Sequence, residues 1–179
     1  MLKIVLIAVA VLFLAFALIA LLGFCLPKSH VVSRAIALRQ RPEAVFSLLS
    51  GFTEGASWRP ELKRVEILPP SEGRQVFRET TGQGALTMEV VESRFPHRLV
   101  THIVDRNLPF GGYWIYEVWP TAEGCRLNIT ERGEIYNPVF RFVARFFLGY
   151  TRTIDTYLTN VAGKFGETAP VTAGQPAGL

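Results

Sequence analysis

The sequence predicts an α+β domain: a curved antiparallel meander sheet around a long C-terminal helix, preceded by one transmembrane helix. Three observations carry this. Residues Ile4 to Leu26 form an apolar run without a charge. From Lys63 to Tyr136 apolar residues recur with period two, the mark of half-buried strands. From Pro138 to Phe165 the period changes to three and four, the mark of one helix face.

The apolar run matters first. A bilayer core about 30 Å thick is crossed by about 20 apolar residues in helical form, and a helix pairs its own backbone groups in lipid. A cleaved signal peptide is the rival. Its apolar region is usually shorter, about 7–15 residues, and Gly23-Phe24-Cys25 makes a poor cleavage site. Residues 1–28 are therefore read as an N-terminal transmembrane anchor and linker, 29–167 as the folded domain and 168–179 as a disordered tail. That tail is uncharged and rich in Ala, Pro, Gly and Thr. Lys28, Arg34, Arg39 and Arg41 follow the run, which by the positive-inside rule favours a cytoplasmic domain.

Within the domain, Val31 to Leu38 reads as a strand. Pro42 and Glu43 open a short helix whose apolar residues are Ala44, Val45, Leu48 and Leu49, and Gly51 ends it. Six strands follow, Arg64–Leu68, Gln75–Thr80, Ala85–Glu92, Leu99–Val104, Gly112–Trp119 and Arg126–Tyr136. Gly- and Pro-containing turns separate them. Asn137 caps and Pro138 opens the final helix. Val139, Val143, Phe146, Phe147, Tyr150, Ile154, Tyr157, Leu158, Val161 and Phe165 form its apolar stripe, with Arg141, Arg145, Arg152 and Thr159 on the opposite side; the three arginines read as a solvated face, with a lipid-binding stripe as the alternative.

Composition narrows the function. The chain has 179 residues, and 19 Lys and Arg against 15 Asp and Glu give a net charge of +4. That excess is too mild for a nucleic-acid partner. Cys25 lies in the apolar run and Cys125 in the domain, so no disulfide forms within the domain. His30, His97 and His102 lack ligand spacing, so no metal site and no cofactor are expected. His102 and Asp105 stand three apart, on opposite faces of a strand, which argues against a catalytic pair. Ser47, Ser50 and Ser57 have no base in any recognisable motif, and no catalytic residue is assigned.

Four short motifs give the domain a family likeness. They are Arg41-Pro42-Glu43-Ala44-Val45-Phe46, Ser57-Trp58-Arg59-Pro60, Pro96-His97-Arg98-Leu99-Val100 and Gly124-Cys125-Arg126-Leu127. In order and spacing they resemble the START-like (SRPBCC) superfamily, the polyketide cyclase/dehydrase and lipid transport type, across residues 30–166. The resemblance implies a helix-grip fold with a cavity between sheet and helix. It does not fix the function, because members bind lipids, sterols, polyketides or hormones, and some are cyclases or hydrolases.

Alternation then proposes a ligand-binding lining of Trp58, Phe77, Met88, Trp114, Tyr116 and Glu131, with Phe146 and Tyr150 from the helix. Each aromatic has plain core packing as its alternative. Glu131 shares a face with Leu127 and Ile129; it either anchors a ligand or pairs with Arg78, Arg132 or solvent. The favoured function is a membrane-anchored carrier or sensor of a lipid or other apolar small molecule. The alternatives are a cyclase- or hydrolase-like enzyme on an apolar substrate, and a tethered protein-interaction module with a closed core. A non-enzymatic role is preferred.

Overall fold

The computed structural model describes residues 1–179. Helix α1 (Leu2–Cys25) is long and apolar enough to cross a membrane, and most of its side chains are exposed. It leads into β1 (Ser29–Leu38), α2 (Pro42–Ser50) and a 3-10 turn (Phe52–Ser57). The meander follows as β2 (Leu62–Ser71), β3 (Arg74–Thr81), β4 (Gly84–Arg94), β5 (Arg98–Ile103), β6 (Phe110–Thr121) and β7 (Gly124–Ile135). Helix α3 (Pro138–Val143), a π turn (Ala144–Leu148), α4 (Arg152–Lys164) and a short strand β8 (Thr172–Ala173) complete the chain.

All eight strands belong to one antiparallel sheet in the order β2-β3-β4-β5-β6-β7-β1-β8. This is the expected α+β helix-grip architecture. The meander needs only local hairpins, while β1 closes against β7 over its whole length, from Ser29 opposite Glu134 to Leu38 opposite Cys125. The inner face carries Ile36, Leu38, Leu99, Tyr116, Val118, Leu127 and Ile129, which pack against Ile154, Tyr157, Leu158 and Val161 of α4. Burying each aliphatic side chain of this kind contributes about 1.5–3 kcal/mol before entropy is counted. Arg34 on β1 also pairs with Asp155 of α4, Nε to Oδ1 at 2.5 Å.

Several local signals act as their chemistry requires. Asn137 Oδ1 accepts the Phe140 N–H at 2.9 Å and Pro138 begins α3. Gly51 ends α2.

Three elements differ from the sequence reading. The C-terminal helix is not one rod. Gly149 takes φ +71° after the π turn, a left-handed backbone that costs glycine little, and splits the helix into α3 and α4. The stripe therefore changes phase between its two halves.

The tail is not free. Strand β8 pairs with β1, and Gln175 to Gly178 cross the outer face of the sheet. Asn128 holds the Gln175 backbone from both sides, Nδ2 donating to its carbonyl and Oδ1 accepting its N–H, each at 3.0 Å. Thr130 Oγ1 accepts the Ala177 N–H at 3.1 Å, and Arg132 Nε and Arg98 Nη2 donate to the carbonyls of Ala177 and Gly178. An uncharged segment is thus held through its main chain, which composition does not reveal.

Arg141 is the third difference. It is buried rather than solvated, 3% exposed, and donates to five backbone oxygen contacts. Nε and Nη2 reach the Ile135 carbonyl at 3.1 and 3.0 Å, and Nη2 also reaches Tyr136 at 3.3 Å. Nη1 reaches the carbonyls of Gly23 and Leu26, both at 2.9 Å. Both lie at the C-terminal end of α1, where the Gly23 carbonyl also takes the Leu26 N–H at 3.4 Å and where a cation is favoured by the helix dipole. Gly23 makes the approach possible, since a Cβ there would collide with the Pro138 carbonyl.

Arg141→Met should therefore destabilise the domain by about 3 kcal/mol, because it strands buried carbonyls at two chain segments. Denaturant unfolding of detergent-purified protein measures this. A loss below about 0.5 kcal/mol would show that the guanidinium does not tie the segments together.

Candidate functional site

The inner face of the sheet carries two polar clusters joined by aromatic rings. The first lies at the end of the sheet nearest α1. His30 on β1 and Glu131 on β7 face each other, Nε2 to Oε1 at 3.4 Å. Tyr150, just after the helix break, stacks on the imidazole at 4.1 Å between ring centroids and 14° between planes. Gly133 leaves the space for this ring, since a Cβ there would collide with it. Glu131 thus points inward as alternation predicts, and its partner is His30 rather than Arg78, Arg132 or solvent alone. Its side chain keeps 22% of its surface exposed, so the carboxylate reaches solvent and is not sealed in the core.

The second cluster lies deeper. Arg59, after the 3-10 turn, makes a bidentate pair with Glu79 of β3, Nη1–Oε1 at 2.6 Å and Nη2–Oε2 at 3.1 Å. Its guanidinium lies over the Tyr157 ring at 4.8 Å, a cation–π contact. Burial lowers its pKa, but the Glu79 carboxylate together with Tyr157 and Tyr116 more than offsets this, so the net shift is upward and Arg59 stays charged. Burial pushes both the Tyr116 and Tyr157 phenols well above the ordinary value, helped at Tyr116 by the neighbouring Tyr157. Both therefore stay protonated and act as hydrogen-bond donors. Two polar atoms here have no partner: Trp58 Nε1 and Thr101 Oγ1.

Trp114 bridges the clusters. It lies opposite Glu131 in the β6–β7 register, and its ring is 6.0 Å from Tyr116 and 5.8 Å from Tyr157. A continuous lane therefore runs from His30, Glu131 and Tyr150 through Trp114 to Tyr116, Tyr157 and Arg59.

The remaining predicted lining residues divide. Trp58 packs edge-on against Tyr157 at 5.4 Å, and Met88 is buried. Phe77 is buried and stacks on Phe52 at 4.0 Å. Phe146 does not join the lane; it is 61% exposed on the π turn, because the helix break turns that segment away. His30, Arg59, Glu79 and Tyr157 belong to the lane but were not selected from sequence. Glu79 was within reach, since it shares a strand face with Phe77.

Two surface depressions lie elsewhere. One of about 360 Å³ is lined by Leu38, Arg39, Glu123 and Glu167 among others. One of about 460 Å³ lies beside Glu89, His102, Asp105, Arg106 and Tyr136. Neither is lined by the lane. His102 does meet a carboxylate, that of Glu89 with Nδ1–Oε1 at 3.2 Å, rather than Asp105, whose Oδ2 accepts the Thr87 N–H. The structure contains no grouping of three or more His, Cys, Asp and Glu side chains suited to a metal ion.

Fold and lane together define a START-like, polyketide cyclase-like ligand-binding fold. The family model for polyketide cyclase/dehydrase and lipid transport proteins matches residues 29–165, and the chain belongs to this family. Solved structures with the same fold include a START superfamily protein from Mycobacterium smegmatis, at 19% identity and TM-score 0.61 over 75% of this chain and 96% of that one. The Zhui aromatase/cyclase from Streptomyces sp. R1128 aligns at 13% identity and TM-score 0.60, over 76% of this chain and 93% of that one. Norcoclaurine synthase from Thalictrum flavum aligns at 11% identity and TM-score 0.61, over 78% and 88%. At these identities the likeness concerns the fold. No curated protein matches the sequence.

The raised phenol pKa values have a consequence for stability. Below about pH 10, the ordinary tyrosine value, both phenols are neutral whether folded or unfolded, and folding is unaffected. Above it the unfolded chain loses these protons while the folded one retains them, so stability falls as pH rises. Ultraviolet titration of native protein should show Tyr116 and Tyr157 ionising only together with unfolding. Reversible ionisation of all five tyrosines in folded protein would contradict this burial.

Proposed function

We propose that this protein is a membrane-tethered binding domain for a lipid or another apolar small molecule, which it carries or senses. The observation that carries this reading is the half-buried His30–Glu131–Tyr150 cluster at one end of an otherwise aromatic lane. Sites for apolar ligands combine apolar walls with a few convergent polar groups that orient the ligand's polar end. Glu131 has acceptor capacity beyond its single contact with His30, so a hydroxyl or ammonium of a ligand fits there. Helix α1 supplies the tether, a single pass with the basic flank favouring the cytoplasmic side. A tether raises the effective concentration of the domain at its own bilayer without any new contact.

A second reading has its own observation. Arg59, Glu79, Tyr116 and Tyr157 converge on the lane, and protonated phenols are suited to donate to a substrate carbonyl. A cyclase- or hydrolase-like reaction would place its oxygen there. Arg59 and Glu79 already satisfy one another, however, and the core around Tyr157 is filled by the protein's own side chains. The binding reading is therefore preferred.

Native mass spectrometry of detergent-purified protein, followed by organic extraction, tests both. The binding reading expects a retained small molecule whose occupancy falls about tenfold in Glu131→Gln, the loss of one charge-assisted hydrogen bond. Finding no retained molecule, or equal occupancy in the variant, would count against it. Under the enzymatic reading, Tyr116→Phe abolishes conversion of the extracted compound while its occupancy holds.

A further inference from the structure

Helix α1 does not simply end where the domain begins. Ile19 and Ala20 are half-buried and Gly23 fully buried, although the rest of α1 is almost entirely exposed. These positions lie on one face of the helix, three or four residues apart, and the element packed there is α3. Arg141 and the Gly23–Pro138 backbone contact fix the arrangement. Thus α3 lies beside the last two turns of α1 rather than beyond its end.

The position along α1 then decides the environment. At 1.5 Å per residue the 24 residues of α1 span about 36 Å, against a hydrocarbon core of about 30 Å. Residues 19–25 therefore occupy the outer edge of that core. Whatever is clamped alongside them sits at the boundary between acyl chains and headgroups. The π turn that continues α3 carries Phe146, Phe147 and Leu148, exposed by 61, 75 and 52%. Such a cluster is unusual on a surface facing water. Arg145, also exposed, stands in the same turn, and a long basic side chain of this kind suits a headgroup phosphate.

We propose that α3 and the π turn form a second, in-plane membrane contact, with Phe146, Phe147 and Leu148 inserted at the acyl–headgroup boundary of the leaflet from which α1 emerges. The proposal rests on α1 spanning the bilayer. It adds that the domain does not hang from a free linker but is seated on the membrane, with the break at Gly149 and the neighbouring Tyr150 lying against lipid.

The experiment uses the full chain in vesicles of phosphatidylcholine with a minority of phosphatidylglycerol. Cys25→Ser removes the exposed thiol, and Cys125, fully buried, stays unlabelled. Single cysteines then carry an environment-sensitive fluorophore at Leu14→Cys in the middle of α1, at Phe147→Cys, and at Glu123→Cys in the distant β6–β7 turn. Position 147 is already exposed, so the label does not disturb the core.

The proposal expects the 147 label to be quenched by lipids with a doxyl group near the headgroup. It also expects iodide to quench that label about tenfold less than the 123 label, as for a group immersed at the interface. A 147 label as open to iodide as the 123 label, with the 14 label quenched by lipid, overturns the proposal and leaves the tether standing. A 147 label shielded from iodide but untouched by lipid quenchers means that protein covers the patch, and also overturns it. A 14 label out of reach of lipid quenchers removes the tether and this proposal together.

Discussion

The structure depends on one buried cation. Arg141 has no carboxylate partner, and burying an unpaired charge is ordinarily prohibitive. Its compensation comes from backbone oxygens of two segments: the end of α1 with Leu26, and Ile135–Tyr136 at the end of β7. Charge-assisted bonds of this kind are about twice as strong as neutral ones. A planar guanidinium can serve several acceptors at once, which a lysine ammonium in the same place would not match. The linker between α1 and β1 is only a few residues long, and Lys28 itself accepts the Ile135 N–H at 2.9 Å. Short connection and buried fork together turn α1 from an appendage into a part of the domain.

That constraint gives the lane its direction. β1 and β6 begin, and β7 ends, at the edge of the sheet where α1 arrives. His30, Glu131 and Gly133 lie at this edge, whereas Arg59 and Glu79 lie across the face, beyond Trp114. The two polar clusters differ in kind. Arg59 is satisfied by Glu79 on its two terminal nitrogens and by Glu61 Oε1 on Nε at 3.0 Å, with Tyr157 beneath the guanidinium. His30 and Glu131 meet at 3.4 Å by a single contact and remain partly open. Spare acceptor capacity therefore lies at Glu131, while the unpartnered polar atoms at depth are Trp58 Nε1 and Thr101 Oγ1.

Much of this was legible in the chain. The Asn137-Pro138 start, the Gly51 stop, the hairpin turns and the period of two all describe local backbone preferences, which sequence states directly. Inward alternation on β7 places Glu131 on the inner face, beside His30, because neighbouring Leu127 and Ile129 leave it no other face. What escaped was non-local. Arg141 looked solvated on a wheel drawn through Gly149, yet that glycine interrupts the helix and cancels the phase. The tail looked disordered because it offers neither charge nor large apolar groups. It is ordered by its main-chain amides and carbonyls, which every residue except proline carries in full. Asn128 and Thr130, polar on the outer face, were the visible half of that arrangement.

The helix break is best understood together with the clamp. A continuous C-terminal helix would carry Phe146, Tyr150 and Ile154 along one line over the sheet, closing it from edge to edge. In the actual chain the N-terminal part is held to α1 by Arg141, and α4 is held to β1 by Arg34 and Asp155. The chain changes direction between these two attachments, at Gly149. Gly149 accommodates the change, since its left-handed φ is inexpensive only without a Cβ. The consequence falls on two neighbours in opposite ways: Phe146 turns outward, while Tyr150 is delivered onto His30. The ring that covers His30 is thus positioned by the residue that breaks the helix, and the aromatic surface left outside is a product of the same break.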